Sequence, residues 1–126
     1  MWNISKKRKV VDFAVIILPA PALFNEGLTL YHQGKYVEAI SAFDEAIKID
    51  PQYAAALCYK SFALDELGKH DEATSPYDKA IEIDPQYVAA AWENKGNDLE
   101  QSKRYDDALE AYNRAMILIQ KTRVPG

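Results

Sequence analysis

A segment recurs along this chain at nearly constant spacing, and that period limits the possible folds more than any other feature. Residues 36–53 (YVEAISAFDEAIKIDPQY) and 70–87 (HDEATSPYDKAIEIDPQY) lie 34 residues apart and agree at 11 of 18 positions. A weaker copy, YDDALEAYNRAMILIQ, follows at 105–120. Each copy is preceded by a partner segment, at 22–34, 55–68 and 90–103. Self-similarity at this period marks a stack of supersecondary units, none of which can bury its apolar face alone.

Each half-unit reads as a helix. In 36–49, Ala39, Ile40, Phe43, Ala46, Ile47 and Ile49 fall mostly at three- and four-residue spacings, with Glu38, Asp44, Glu45 and Lys48 on the other face. Gly34 and Gly68 stand where the chain must turn, because glycine adopts positive φ freely. Pro51 and Pro85 exclude the α region for the residue before them, so Asp50 and Asp84 end helices. Pro76 is anomalous inside a second helix. The expectation there is a kink or a late start, with Ser75 as cap and Pro76 as first helical residue.

These residues resemble the tetratricopeptide repeat. The first unit supplies Leu23, Gly27, Leu30, Ala39, Phe43 and Pro51; the second Leu57, Leu64, Ala73, Tyr77 and Pro85; the third Trp92, Gly96, Leu99, Ala108 and Tyr112. Departures are Ser61 for a glycine, Lys95 for a leucine, Lys103 for the turn glycine and Gln120 for the proline. The resemblance implies an all-α fold, a right-handed superhelical stack of three antiparallel helix pairs. Its units span 20–53, 54–88 and 89–120, after an arm at 1–19 and before a tail at 121–126.

Composition narrows the function. A 126-residue chain with 48% hydrophobic and 27% charged residues suits one folded domain. Residues 1–20 carry Lys6, Lys7, Arg8 and Lys9 against Asp12, so the overall charge of −4 leaves −7 on the remainder. An acidic body argues against nucleic-acid binding, for which a basic face supplies most of the affinity. The single cysteine, Cys58, rules out an intramolecular disulfide and fits a reducing compartment. His32 and His70 are 38 residues apart, and no metal-binding, nucleophile or phosphate-loop motif appears. The acidic pairs fall at helix ends or on outward faces, where they suit solvent and the helix dipole. A non-enzymatic protein without cofactor or metal is expected.

The resemblance further implies that the first helix of each pair lines a concave binding face, offering Phe24, Asn25, Leu28, Tyr31 and His32, then Cys58, Tyr59, Phe62, Asp65 and Glu66, then Glu93, Asn94, Asn97, Glu100 and Gln101. Helical spacing then groups Phe24, Leu28 and Tyr31; Cys58, Phe62 and Asp65; and Glu93, Asn97 and Glu100. Such a groove grades from aromatic to acidic and suits an extended peptide, with Phe24 and Phe62 either anchoring it or packing internally. None of these residues is cationic. The expected ligand is therefore basic or mixed basic–apolar, not the acidic C-terminus of a heat-shock chaperone that family members clamp with lysine and arginine.

The two ends raise separate questions. Residues 1–22 combine a basic cluster, the apolar run Val10–Leu18 and Ala20-Pro21-Ala22, which together resemble a secretory signal. Against it, the run contains Asp12, and a span needs about 20 apolar residues. A cytoplasmic protein not held in a membrane is the expectation, with secretion or anchoring by the arm as the competing reading. At the other end, Met116, Ile117 and Ile119 form an apolar surface without a capping helix, Ile117 and Ile119 standing where the earlier copy has Glu82 and Asp84. Self-association or partner docking is expected there.

Overall fold

Six α-helices make up the structure, a computed structural model describing residues 19–123. They are α1 (Ala20–His32), α2 (Tyr36–Ile49), α3 (Ala54–Glu66), α4 (His70–Ile83), α5 (Pro85–Gln101) and α6 (Tyr105–Arg123). The described residues contain no strand. The arm expected at 1–19 falls almost wholly outside the described residues, as do the last three residues of the tail.

Helices pack as the pairs α1–α2, α3–α4 and α5–α6, and the pairs stack in chain order into an all-α solenoid. The turns inside the first two pairs use Gly34 at φ 79° and Gly68 at φ 78°. In the third, Lys103 takes the same left-handed conformation at φ 63° despite its side chain. Asp50 and Asp84 end α2 and α4.

The pairs close tightly because one side of each crossing is small. A Cβ on Gly27 would lie 2.6 Å from the ring of Phe43, and one on Gly96 would lie 2.5 Å from the ring of Tyr112. Ala39, Ala73 and Ala108 are buried on the opposing helices. Ser61 fills the glycine position of the second pair, where its hydroxyl donates to the Cys58 carbonyl at 2.6 Å. Ten of the 13 residues of α3 are buried, making it the centre of the core. Aromatic rings continue from it both ways: Phe24–Tyr59 at 5.9 Å, Tyr59–Phe62 at 5.4 Å and Phe62–Trp92 at 4.6 Å between centroids. The Trp92 indole N–H ends this ladder by donating to the Tyr77 hydroxyl at 2.9 Å.

Two expectations need correction. No late start occurs at Pro76: α4 is helical from His70 to Ile83, with Lys69 rather than Ser75 at its N-cap. Proline removes only the N–H that would reach the Glu72 carbonyl, and Glu72 lies exposed in the first turn, where water can serve that acceptor. Ile49 is not an inner residue but 41% exposed, since it lies beyond the last turn that α3 covers. α5 begins at Pro85, since proline is itself a good first helical residue.

Candidate functional site

An open cleft of about 1090 Å³ runs across the stack. One wall is the end of α1 and the start of α2, with Leu28, Tyr31, His32 and Tyr36. Tyr59 and Glu66 of α3 form its floor. The opposite wall is α5, where Asn94, Asn97, Asp98 and Gln101 follow at helical spacing, with Lys95 and Leu99 beside them and Arg104 beyond.

Tyrosines give the cleft its apolar character. Tyr31 meets Tyr59 and Tyr36 edge to face, each at 5.5 Å. Burial, followed by the Glu66 charge, pushes the Tyr31 hydroxyl well above its ordinary range. Burial also pushes Tyr59 up to about 12, with Cys58 adding to the shift and the hydrogen bond from Asn94 opposing it. Both hydroxyls are therefore neutral at physiological pH and available as hydrogen-bonding groups.

The cations of the cleft are already engaged. Lys95 Nζ sits 3.2 Å from Glu66 Oε1, and lies 4.9 Å and 5.5 Å from the ring centroids of Phe62 and Trp92. Arg104 places Nε at 3.1 Å and Nη2 at 2.8 Å from Asp107 Oδ2. Among the described residues no ion pair engages Asp98. The expectation of a cleft without lysine or arginine is thus corrected. Lys95 occupies a position that is apolar in the repeat pattern, and its stem and ammonium cover aromatic rings there while the head reaches the cleft.

Of the nine residues grouped from helical spacing, the structure brings Leu28, Tyr31 and Asn97 to the cleft. Phe24, Cys58 and Phe62 are buried in the stack, and Phe62 is only 1% exposed. They pack internally because α3 is enclosed on both sides. Asp65 opens into a neighbouring depression of about 530 Å³ with His70, Trp92 and Arg114, separated from the cleft by the Lys95–Glu66 pair. His70 Nδ1 lies 3.0 Å from its carboxylate. Glu93 is exposed outside the cleft. Glu100 turns away from it, sharing the Tyr112 hydroxyl at 3.0 Å with Asn97 at 2.6 Å. His32, Tyr59, Glu66, Asn94 and Gln101, also placed on the concave face, line the cleft, whereas Tyr36 escaped the sequence reading because it stands on the second helix of its pair.

On α6, Met116 and Ile117 are exposed as expected, whereas Ile119 is partly buried against the core. Among the described residues no group of three or more His, Cys, Asp or Glu side chains converges to hold a metal ion, and no helix is long and apolar enough to cross a membrane.

Comparison with known proteins agrees with this architecture. No curated protein sequence matches the chain. Among solved structures, MamA superposes with a TM-score of 0.60 at 26% identity, over 94% of this chain and 68% of that one. The first TPR of Spaghetti (RPAP3), solved bound to the HSP90 peptide SRMEEVD, gives 0.56 at 25% identity, over 79% of this chain and 78% of that one. The second TPR of the same protein, with the same peptide, gives 0.56 at 22% identity, over 79% and 91%. Profiles described as tetratricopeptide repeat match residues 20–53, 42–74 and 89–121, more than half of the sequence between them. With this repeat pattern, the helix pairs and the glycine crossings, the chain belongs to the tetratricopeptide repeat family.

Proposed function

We propose that this protein is a non-enzymatic interaction scaffold whose concave cleft holds an extended peptide segment, apolar in part and carrying basic residues. The observation that carries this reading is the state of the charges in the cleft. Its two cations face carboxylates within 3.2 Å, while Asp98 has no ion-pair partner among the described residues. A basic side chain arriving at Asp98 gains a partner without displacing one. An acidic terminus would have to compete with Glu66 and Asp107 for Lys95 and Arg104. Tyr31, Tyr36 and Leu28 supply apolar contact, and Asn94 and Gln101 offer amides to a peptide backbone. Solved relatives in peptide complexes, the TPR units of Spaghetti (RPAP3), support the general mode of use.

Calorimetric titration tests the proposal with two peptides of equal length, one lysine-rich with aliphatic residues and one acidic with a free C-terminal carboxylate. The basic peptide should bind more tightly and weaken as salt rises from low to moderate ionic strength. Asp98→Lys should abolish that preference, and Tyr31→Ala should weaken binding about tenfold. Tighter binding of the acidic peptide by the unaltered chain would overturn the charge assignment.

A further inference from the structure

One side of α6 carries an apolar seam, on which Tyr105, Leu109 and Met116 are exposed, while Tyr112, over Gly96, and Ile119, against the core, are partly buried at its edge. Tyr105, Leu109, Tyr112, Met116 and Ile119 follow in steps of four, three, four and three, the spacing by which one helix meets another along a line. Tyr105 is 62% exposed, Leu109 60% and Met116 54%. The opposite side of the helix is spent on α5, where Ala108, Ala111, Ala115 and Leu118 are buried.

The first pair shows what such a seam does in this fold. Tyr36, Ile40, Phe43 and Ile47 of α2 correspond, through the repeat, to Tyr105, Leu109, Tyr112 and Met116. There α3 lies along α2: Phe43 is fully buried, Ile47 packs against the core, and Lys60 of α3 reaches Asp44 of α2 at 2.7 Å. On α6 no following helix among the described residues covers these positions: Tyr112 packs inward over Gly96 of α5, while Tyr105, Leu109 and Met116 are exposed.

We infer that the helix completing this seam is α6 of a second copy, packed antiparallel about a two-fold axis. Charge selects this partner and its direction. The first turns of α6 carry Asp106, Asp107 and Glu110; with Arg104 paired to Asp107 and Arg114 to Glu110 the net charge there is −1, and the last turn carries Lys121. Antiparallel pairing sets the acidic end of each helix beside the basic end of the other and opposes their dipoles. Parallel pairing sets like against like. A head-to-tail stack would instead offer α1 as the next helix, but α1 exposes Asn25, Glu26 and Thr29. Among the described residues, α6 is the helix whose exposed apolar residues, Tyr105, Leu109 and Met116, fall in such a row. In a heptad-like register Leu109 meets the partner subunit's Ile119, and Tyr112 meets the partner subunit's Met116. The contact is isologous and closes at two copies. Ile117 lies to one side of the seam.

Sedimentation equilibrium of the full chain, from micromolar to millimolar, should give twice the 14.2 kDa chain mass. Leu109→Glu with Met116→Glu should weaken pairing about a hundredfold or more, while Ile117→Glu changes it by less than about threefold. Leu109 and Met116 do not line the cleft, so peptide affinity and the helical circular dichroism signal should stay unchanged in the double variant. Direction is read with a short bismaleimide, the buried Cys58 being out of its reach. Leu109→Cys with Ile119→Cys should cross-link two copies, whereas Leu109→Cys alone should not. A chain monomeric throughout, a mass growing beyond two copies, loss of pairing with Ile117→Glu alone, or cross-linking by Leu109→Cys alone would each overturn the inference.

Discussion

The first and third helix pairs follow one plan and meet opposite surroundings. Each sets a glycine of its first helix beneath a ring of its second, Gly27 under Phe43 and Gly96 under Tyr112. Phe43 is fully buried beneath α3, while Tyr112 is partly exposed, its hydroxyl bonded to Asn97 and Glu100. The first pair turns on Gly34 and the third on Lys103, both at positive φ. Identical local geometry thus has unequal energetic weight: a strained contact or turn is enforced where neighbours close over it and has room to relax where they do not.

Glycine substitutions are the sharpest way to break the comparison. Gly27→Ala drives a methyl into a ring with nowhere to move and should cost about 3 kcal/mol by urea unfolding. Gly96→Ala meets a ring that can swing toward solvent and should cost about 1 kcal/mol, chiefly the Tyr112 hydrogen bonds. Equal losses would mean that the open pair is as rigid as the enclosed one.

Alkaline pH probes the enclosed side next. Tyr59 has its hydroxyl pushed from 10.0 up to about 12, mainly by burial. A raised folded-state value means that its contribution is complete below pH 10 and is lost as pH rises through about 12. Urea midpoints should therefore fall over that interval, and Tyr59→Phe should flatten the fall. A slope unchanged by the substitution would place the alkaline sensitivity elsewhere.

The turns give the smallest effect and the only gain. Lys103 holds a left-handed conformation that costs a side-chain-bearing residue about 1 kcal/mol, so Lys103→Gly should raise stability by about that amount. Gly34→Ala should lower it similarly, because no neighbour lies within 4 Å of the added methyl and only the backbone resists. Opposite signs of matched size would show that the two turns differ in residue and not in shape.

How far the sequence reached depended on what surrounds each helix. α2 buries Ala39, Phe43 and Ala46 on one side, so its periodicity pointed at the core. α3 is covered on both sides, and a helix without a polar face has no periodic contrast to read. That is why Phe62 and Cys58 were assigned to a groove they do not reach. Lys95 was legible only as a departure from pattern; that its ammonium lies over Phe62 and pairs with Glu66 depends on two residues of α3, the nearer of them 29 positions away.

The two IDPQY copies mark the division most closely. Sequence alone determined that a helix ends at each aspartate, because the following proline excludes the α region there, and it determined the period that sets three helix pairs. It did not determine how the chain leaves the proline. Asp50 Oδ1 accepts from the Gln52 amide, and the next helix waits until Ala54. Asp84 Oδ1 accepts from the Tyr87 amide and caps a helix that begins at Pro85 itself. Both local bonds are open to the same pentapeptide at similar energy. The choice falls to packing: α3 lies closely along α2, whereas α5 touches both α3 and α4 only lightly and takes its place chiefly by packing on α6.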